Sequence, residues 1–323
     1  MDEPIFYSDE LVKAVNPPFR DYMAANEARR MGNLMKRALV VTLKVLADTG
    51  IEHPDAIITG TSIGSLDCTE KFLDAMVENE EETLSPTHFM QSTHNTVGST
   101  LGIYTKTHGY NTTYSHGSVS FDQALLDAWM QMQLGTISTA LVGGHDEMVA
   151  PYYEHLKKTG YVGREGMVPC GEVAVSMLLT TDGSRDHLCR LAGISISHQP
   201  TMEQLRQQLA GILREASMNM GDVSAVMTGV NGNPVNDKPY QEIIEGLFPA
   251  TAVPCLHYKH LFGENYTVPA LGVYAASHCL KKNTVPSFLY HASSPCQCDS
   301  LNSILMVNRA EGGELSLILL KNG

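Results

Sequence analysis

The order of strand and helix patterns along the chain constrains the fold more than any other sequence feature. Short apolar runs that end in glycine, such as 55–60 and 139–144, alternate with helical patterns of apolar residues every three or four positions. The series restarts near residue 202 and closes with two strands around Gly312-Gly313. This alternation predicts an α/β protein with largely parallel sheets. Candidate sites therefore lie in the loops after the strands.

Each predicted element follows from its local pattern of apolar residues. The predicted helices cover 27–48, 66–77, 96–107, 121–134, 202–218, 238–247 and 268–280. The predicted strands cover 55–59, 111–115, 139–144, 172–181, 188–197, 224–228, 251–256, 303–307 and 314–320.

Composition excludes several functional classes. The 323 residues contain 22 Lys and Arg against 35 Asp and Glu, a net charge of −13, which disfavours binding to phosphate backbones, so we expect no nucleic-acid partner. Seven cysteines without regular spacing do not form a disulfide scaffold, and a reducing cytoplasm fits them better. No apolar run reaches the ~18 residues of a membrane-spanning helix, so we also expect no membrane partner. The amino terminus lacks the pattern of a signal peptide.

Gly60-Thr-Ser-Ile-Gly64 matches the G-x-S-x-G pattern between a predicted strand and a predicted helix. In α/β-hydrolases this pattern holds a nucleophilic serine, which would be Ser62. A tight strand-to-helix turn gives the same five residues, and so few residues precede Ser62 that the turn is the favoured interpretation. A serine hydrolase built on Ser62 remains an alternative.

A second polar turn joins a predicted strand to a predicted helix at 114–120. Ser118 stands where the helix begins, so the helix dipole would favour a nucleophile there, whereas a plain N-cap is the simpler role. Farther along, Cys296, Cys298 and His291 are soft metal ligands, but a closed zinc site needs four. We expect no metal and no cofactor.

Together these segments resemble the β-ketoacyl synthase (ketosynthase) family from about residue 27 to the end of the chain. The matching motifs, in chain order, are Arg29-Arg-Met31, Gly60-Thr-Ser-Ile-Gly64, Ala140-Leu-Val-Gly-Gly144, Cys170-Gly-Glu-Val-Ala174, Pro234 with Asp237 and Lys238, His260-Leu-Phe-Gly263 and Gly312-Gly313. The resemblance implies a thiolase-like layered αβαβα fold with two pseudo-symmetric halves, 1–184 and 185–323. It also implies a short first strand at Pro4–Ser8 and a dimer interface around 111–134.

The sequence departs from the family at its catalytic positions. By ungapped counting, the family's nucleophilic cysteine corresponds to Ser118, and its first catalytic histidine corresponds to Gly229. The second histidine is retained as His260, and the lysine five residues before it corresponds to Cys255. The gating phenylalanine corresponds to Glu311. A serine hydroxyl is a weak nucleophile without a base, so these losses together predict impaired condensation.

The resemblance therefore implies a non-condensing, chain-length-factor-like subunit of fatty-acid or polyketide-type biosynthesis, similar to subunits of aryl-polyene and flexirubin-type clusters. Its expected partners are an acyl-carrier protein and either a second copy or a catalytic ketosynthase. The alternative is an active acyltransferase, ketosynthase or thioesterase that uses Ser118 with His260 as the base. The candidate binding residues around the expected pocket are His116, Asn231, His257, Glu311, Gly312 and Gly313.

Overall fold

Two mixed β-sheets organise the chain in the computed structural model, which describes residues 4–5, 7, 9–249, 252–298 and 300–323. The strands of these residues are β1 (Ala56–Gly60), β2 (Tyr110–Tyr114), β3 (Thr139–Asp146), β4 (Val173–Thr180), β5 (Arg190–His198), β6 (Ala225–Thr228), β7 (Cys255–His257), β8 (Ser303–Arg309) and β9 (Glu314–Lys321). The helices are α1 (Ala25–Ala28), α2 (Asn33–Thr49), α3 (Leu66–Glu78), α4 (Pro86–Ser92), α5 (Thr96–Thr105), α6 (Ser120–Gln133), α7 (Ala150–Thr159), α8 (Met202–Glu215), α9 (Pro234–Leu247), α10 (Lys259–Phe262) and α11 (Pro269–Lys282).

The two sheets repeat one strand order. The first sheet runs β2-β1-β3-β4, with parallel pairing on both sides of β1 and antiparallel pairing of β3 with β4. The second sheet runs β7-β6-β8-β9 in the same sense, and β5 adds antiparallel to β9. This repeat is the predicted pseudo-symmetry. The predicted boundary between residues 184 and 185 falls between β4 and β5 and stays a prediction.

Helices cover both outer faces of the sheets and fill the space between them. The inner faces of both sheets share one core with α6 and α11, including Phe121 of α6 and Val273 of α11. Helices α2 and α5 pack on the outer face of the first sheet, where Ile57 and Leu141 are buried. Helices α8 and α9 pack on the outer face of the second sheet. The layers therefore follow the αβαβα order, and the predicted fold class is confirmed.

Local signals explain where several helices begin and end. Gly50 adopts a left-handed φ of 67° directly after α2, a conformation that glycine accepts without steric cost. Thr201 and Gln204 form a reciprocal capping box that begins α8. The helix predicted over 27–48 is instead two helices, because the chain is extended at Gly32.

Some elements differ from the sequence prediction. The short helices α4 and α7 were not predicted, and β7 is shorter than the predicted strand over 251–256, whose first residue lies outside the described part. The predicted first strand at 4–8 includes residues 6 and 8, which also lie outside it. Within the described residues, no helix is both long and apolar enough to cross a bilayer.

Candidate functional site

The turn before α6 presents Ser118 at the start of that helix. Gly117 has a left-handed φ of 54°, which lets the chain reverse between β2 and α6. The hydroxyl of Ser120 accepts a hydrogen bond from the His116 amide at 2.8 Å and donates to the Gly117 carbonyl at 2.7 Å. The N-cap role considered for Ser118 is therefore wrong, because Ser120 closes this turn and the Ser118 side chain makes no capping bond.

A buried network fixes the backbone of Ser118 to the second sheet. The amide of Asn308 on β8 donates to the Ser118 carbonyl and to the Asp122 carboxylate, each at 2.9 Å. The hydroxyl of Ser316 on β9 donates to the other oxygen of Asp122 at 2.9 Å. Burial raises the pKa of Asp122 to about 6, although these hydrogen bonds act in the opposite direction. The network joins the two halves of the molecule at the predicted nucleophile.

Tyr161 lies near Ser118 and Glu264, which both act on its pKa. Its ring stacks on Tyr266 with centroids 5.7 Å apart. Burial raises the pKa of Tyr161 well above its usual value, and the nearby Glu264 carboxylate raises it further. A phenol that holds its proton this tightly is a poor general base for Ser118.

Beside these residues lies a buried ion pair between Lys259 of α10 and Glu264. The ammonium nitrogen lies 2.8 and 2.9 Å from the two carboxylate oxygens, and both side chains are buried. The amide of Asn231 donates to the same carboxylate at 2.6 Å. Burial lowers the pKa of Lys259, but Glu264, Tyr240 and Asp237 together outweigh burial and raise it overall. Both oxygens of the Glu264 carboxylate therefore accept hydrogen bonds from these two side chains.

Gly229 has no space for a larger side chain. A Cβ atom built there would lie 2.8 Å from the Tyr240 hydroxyl and 3.1 Å from Cε of Lys259. The Tyr258 hydroxyl would lie at 3.4 Å, and it is buried without a hydrogen-bond partner among the described residues. These three side chains occupy the space that a histidine at position 229 would need.

The structure places His260 in a cluster of imidazoles. The ring centroids of His260 and His257 lie 4.0 Å apart, and the ring centroids of His257 and His291 lie 5.3 Å apart. Burial, and then His260 and His291, lower the pKa of His257 to about 3, and burial also lowers the pKa of His260. Within the described residues no hydrogen bond joins His260 to Ser118, and both of its ring nitrogens lack a partner. The catalytic pair of Ser118 and His260 stays a prediction.

The other predicted binding residues divide between the site and its edges. Glu311 lies at the β8–β9 turn, which Gly313 closes with a left-handed φ of 96°, while Gly312 is exposed beside it. Burial, and then the carboxylate of Glu264, raise the pKa of Glu311. His116 is exposed on the Ser118 turn, 6.3 Å from the Tyr114 ring.

The G-x-S-x-G segment has a structural role. The backbone amides of Ser62, Ile63 and Gly64 all donate to the buried carboxylate of Asp146, at 2.9 to 3.1 Å. The ring of His94 forms a hydrogen bond with the backbone carbonyl of Ser62 at 3.1 Å, and not with the Ser62 hydroxyl. This arrangement favours the tight-turn interpretation over a hydrolase nucleophile.

The soft ligands near the carboxyl terminus do not converge. His291 bonds the Ser293 hydroxyl at 2.7 Å, Cys296 points to the Ala252 carbonyl at 3.6 Å, and Cys298 points to the Ser224 carbonyl at 3.1 Å. In the part of the chain that the structure describes, no group of three or more His, Cys, Asp or Glu side chains could hold a metal ion.

Sequence reasoning missed Lys259, Glu264 and Tyr161. The signal for the first two is a separation of five residues, the spacing that the family has between its lysine and its second histidine, with Gly263 directly before Glu264. Tyr161 follows α7 in a segment without a clear pattern, so no sequence signal identified it.

Comparison with solved structures identifies related folds. The structure titled "The ishigamide ketosynthase/chain length factor" matches with a TM-score of 0.82 and 14% identity, covering 96% of this chain and 87% of that one. A β-ketoacyl synthase from Burkholderia phymatum matches at 0.75 and 15% identity, covering 96% and 86%. The ketosynthase ApeO in complex with its chain length factor ApeC, from Xenorhabdus doucetiae, matches at 0.72 and 18% identity, covering 97% and 86%.

Sequence comparison identifies the family itself. No curated protein matches the sequence. The profile described as "Beta-ketoacyl synthase, N-terminal domain" matches residues 8–228, which is more than half of the chain. The layered fold and its structural neighbours agree with that match. The chain belongs to the β-ketoacyl synthase family.

Proposed function

We propose that this chain is a non-condensing, chain-length-factor-like subunit that works beside a catalytic ketosynthase in fatty-acid or polyketide-type biosynthesis. The observation that supports this most is the closed ion pair of Lys259 and Glu264, which accepts a hydrogen bond from Asn231 and lies near Tyr161 and Asp122. A condensing enzyme needs a thiolate and two histidines at such a site. Here the corresponding region holds a serine, a carboxylate and an amide.

Spacing supports a revised assignment of the family positions. The family lysine stands five residues before the second histidine, and Lys259 stands five residues before Glu264. We therefore assign the lysine to Lys259 rather than Cys255, and the second histidine to Glu264 rather than His260. Asn231-Gly232 resembles the His-Gly pair of the first histidine, and Asn231 contacts Glu264 directly.

Electrostatics explain why such a site would not condense. Decarboxylation of a malonyl group creates an enolate whose negative oxygen needs hydrogen-bond donors. Glu264 offers acceptors, and it neutralises Lys259. Glu264 also raises the pKa of Glu311 at the β8–β9 turn. Because Lys259 is already paired with Glu264, its ammonium is not free to bind a malonyl carboxylate or the enolate oxygen.

An active serine enzyme is the second candidate, since Ser118 stands at a helix start as a nucleophile would. The weakness of this candidate is the general base that Ser118 would need. Burial and then Glu264 raise the pKa of the Tyr161 phenol well above its usual value, so the phenol keeps its proton, whereas His260 packs on His257. A serine hydroxyl without a positioned base reacts slowly with thioesters.

An exposed apolar face supports assembly with a second ketosynthase-like chain, either another copy or a catalytic partner. Ile103 of α5, Tyr110 of β2 and Leu134 after α6 are exposed by 77%, 40% and 77%, and both helices contact β2, an edge strand of the first sheet. Large exposed apolar residues in one region often mark protein interfaces. Two of the similar solved structures contain, by their titles, a ketosynthase and a chain length factor.

A basic cleft supports contact with an acyl-carrier protein. Arg29, Arg30, Lys36 and Lys71 line a surface cleft of about 220 Å³ together with Asp67, which pairs with Lys71, on a chain whose net charge is −13. The two arginines form no ion pair within the described residues, so they are available to an anionic partner. One similar solved structure is, by its title, a carrier protein in complex with its ketosynthase. A cytoplasmic location is part of this proposal.

Acyl transfer to the protein tests the proposal. The wild-type chain would be incubated with acetyl-, hexanoyl- and malonyl-loaded carrier proteins, and its intact mass measured. We expect no covalent adduct. An adduct that disappears in Ser118→Ala and persists in Ser62→Ala would overturn the proposal in favour of an active serine transferase. An adduct lost only in Ser62→Ala would instead support the hydrolase alternative.

A further inference from the structure

Helix α3 leaves most of its apolar side chains uncovered. Of its thirteen residues only Cys68 is buried, whereas α8, with fourteen residues, buries four. Leu73 and Val77 lie one turn apart on α3 and are exposed by 52% and 81%. Phe89 of α4 packs against Phe72 with ring centroids 5.2 Å apart, and Phe89 is also more than half exposed. An amphipathic helix normally buries its apolar face against the core, so among the described residues this face of α3 is left without a cover.

A surface cleft of about 410 Å³, called here the α3 cleft, lies along this face. It is lined by Leu73, Met76 and Val77 of α3 and by Glu80 and Glu81 of the loop that follows. Both glutamates have a left-handed φ, 49° and 68°, which residues other than glycine rarely adopt. The Glu81 amide donates to the Met76 carbonyl at 2.9 Å, which folds the loop back against the end of α3. The cleft is therefore apolar on the helix side and acidic on the loop side.

Negative charge accumulates at this end of α3. Glu70, Asp74 and Glu78 follow one another every four residues, in a stripe next to Leu73 and Val77. In the described part of the chain, neither these three acids nor the glutamates at positions 80, 81 and 82 form an ion pair. The carboxyl end of a helix carries partial negative charge, and α3 has no basic residue in its last turn to offset it. The apolar face is thus bordered by uncompensated negative charge.

We propose that the α3 cleft receives a basic amphipathic helix of a partner protein. The apolar side chains of that helix would pack on Leu73 and Val77, as a helix does when it lies in an apolar groove. Its lysines or arginines would meet the carboxylates of Glu80, Glu81 and the stripe on α3, which would determine its orientation and its specificity. This inference does not depend on the chemistry at Ser118.

Charge argues against the other occupants of the α3 cleft. The first twelve residues of the chain contain four acidic residues and no lysine or arginine, so this segment would bring like charge to the cleft. A second copy of a chain with a net charge of −13 is disfavoured for the same reason. The basic cleft proposed for the carrier protein shares no lining residue with the α3 cleft. The two surfaces therefore select partners of opposite charge.

Thiol labelling of a Val77→Cys variant of the full chain tests whether the cleft is open. The variant would be treated with iodoacetamide, and peptide mass spectrometry would follow modification at position 77. We expect Val77→Cys to react within about threefold of the rate of Val235→Cys, a control at a residue 72% exposed on α9. Slow reaction at every protein concentration would overturn the proposal, because the chain would cover its own cleft. Reaction that slows as the concentration rises would also overturn it, because a second copy would then be the occupant.

The probe for binding is a helical peptide of about 18 residues, with leucines on one face and lysines on the other. We expect this peptide to bind saturably and to slow the labelling of Val77→Cys by at least about tenfold at saturation. A peptide in which glutamates replace the lysines should not bind, because it repeats the charge of the cleft. No slowing by the lysine peptide at its solubility limit, or equal slowing by both peptides, would overturn the proposal.

Charge-reversal variants separate this surface from a general attraction to an acidic chain. Glu80→Lys combined with Glu81→Lys should weaken peptide binding at least about tenfold, because the lysines of the peptide would lose their partners. Glu242→Lys combined with Glu245→Lys on α9 is the matched control, since it makes the same change in net charge at exposed residues and should leave binding unchanged. Equal binding by the two charge-reversed proteins, whether weakened or not, would contradict the proposal.

Discussion

The ammonium of Lys259 contacts both carboxylate oxygens of Glu264, 2.8 and 2.9 Å away, in a buried site. Burial makes this pair costly to break, because the remaining charge would have no water to solvate it. The pair therefore determines both the stability of the site and its chemistry. In this pair Glu264 neutralises the ammonium of Lys259, which would otherwise be available to bind a substrate anion.

We expect Glu264→Gln to destabilise the protein by about 3–5 kcal/mol, because it leaves Lys259 charged and unpaired. Urea denaturation followed by circular dichroism measures the loss. Asp67→Asn is the matched control, since Asp67 pairs with the exposed Lys71 at 2.6 Å and its loss should cost less than about 1 kcal/mol. Equal losses for the two variants would contradict the role of burial.

The pKa of Asp122 gives a prediction about pH. Burial raises this pKa from 3.8 to about 6, so the native state holds the proton more tightly than the unfolded state does. The contribution to stability is present below pH 4 and is lost as pH rises to about 6, with a slope of at most about 1.4 kcal/mol per pH unit. Asp122→Asn should remove this slope. Denaturation of both proteins between pH 4 and 8 measures the difference, and parallel curves would refute it.

Crowding at Gly229 predicts a cost for the smallest substitution. Gly229→Ala places a methyl group 2.8 Å from the Tyr240 hydroxyl, so we expect a loss of about 1–3 kcal/mol in the free energy of unfolding. Gly183→Ala is the control, because nothing lies within 4 Å of its Cβ position, and it should change stability by less than about 1 kcal/mol. A neutral Gly229→Ala protein would show that the surrounding side chains can move aside.

The apolar face near β2 predicts the effect of a single charge on assembly. Leu134 is 77% exposed in the single chain, so Leu134→Lys should change stability by no more than about 0.5 kcal/mol. We expect the same substitution to dissociate dimers, which sedimentation velocity would detect. Val235→Lys, at a residue 72% exposed on α9, is the matched control and should leave dimers intact. Dimers that survive Leu134→Lys would move the interface to another surface.

Local patterns predicted most of the fold because strand and helix signals lie within a few residues of one another. The capping box of Thr201 and the glycine after α2 are signals of this kind. Short helices such as α4, with seven residues, lack a full apolar period and were missed for that reason. The layers followed from the resemblance, since periodicity does not determine how two sheets pack.

The site was harder to predict because its contacts join distant parts of the chain. Asp122 bonds Asn308 and Ser316, which are 186 and 194 residues away. His260 was assigned as the second catalytic histidine because residues 260–263 match the family's His-Leu-x-Gly motif. The separation between Lys259 and Glu264 was equally visible in the sequence, but its meaning depended on seeing the two side chains in contact.

Decarboxylation of a malonyl-loaded carrier protein is the most direct test of the account. Release of carbon dioxide would be measured with the purified chain, with Glu264→Gln and Asn231→Ala variants, and with a catalytic ketosynthase as the positive control. We expect the wild-type chain to release no more carbon dioxide than buffer alone does. The reason is that the buried Glu264 carboxylate, paired with Lys259, stands where the enolate oxygen would need hydrogen-bond donors. Release by the wild-type chain that Asn231→Ala or Glu264→Gln abolishes would contradict the account and assign this site to catalysis.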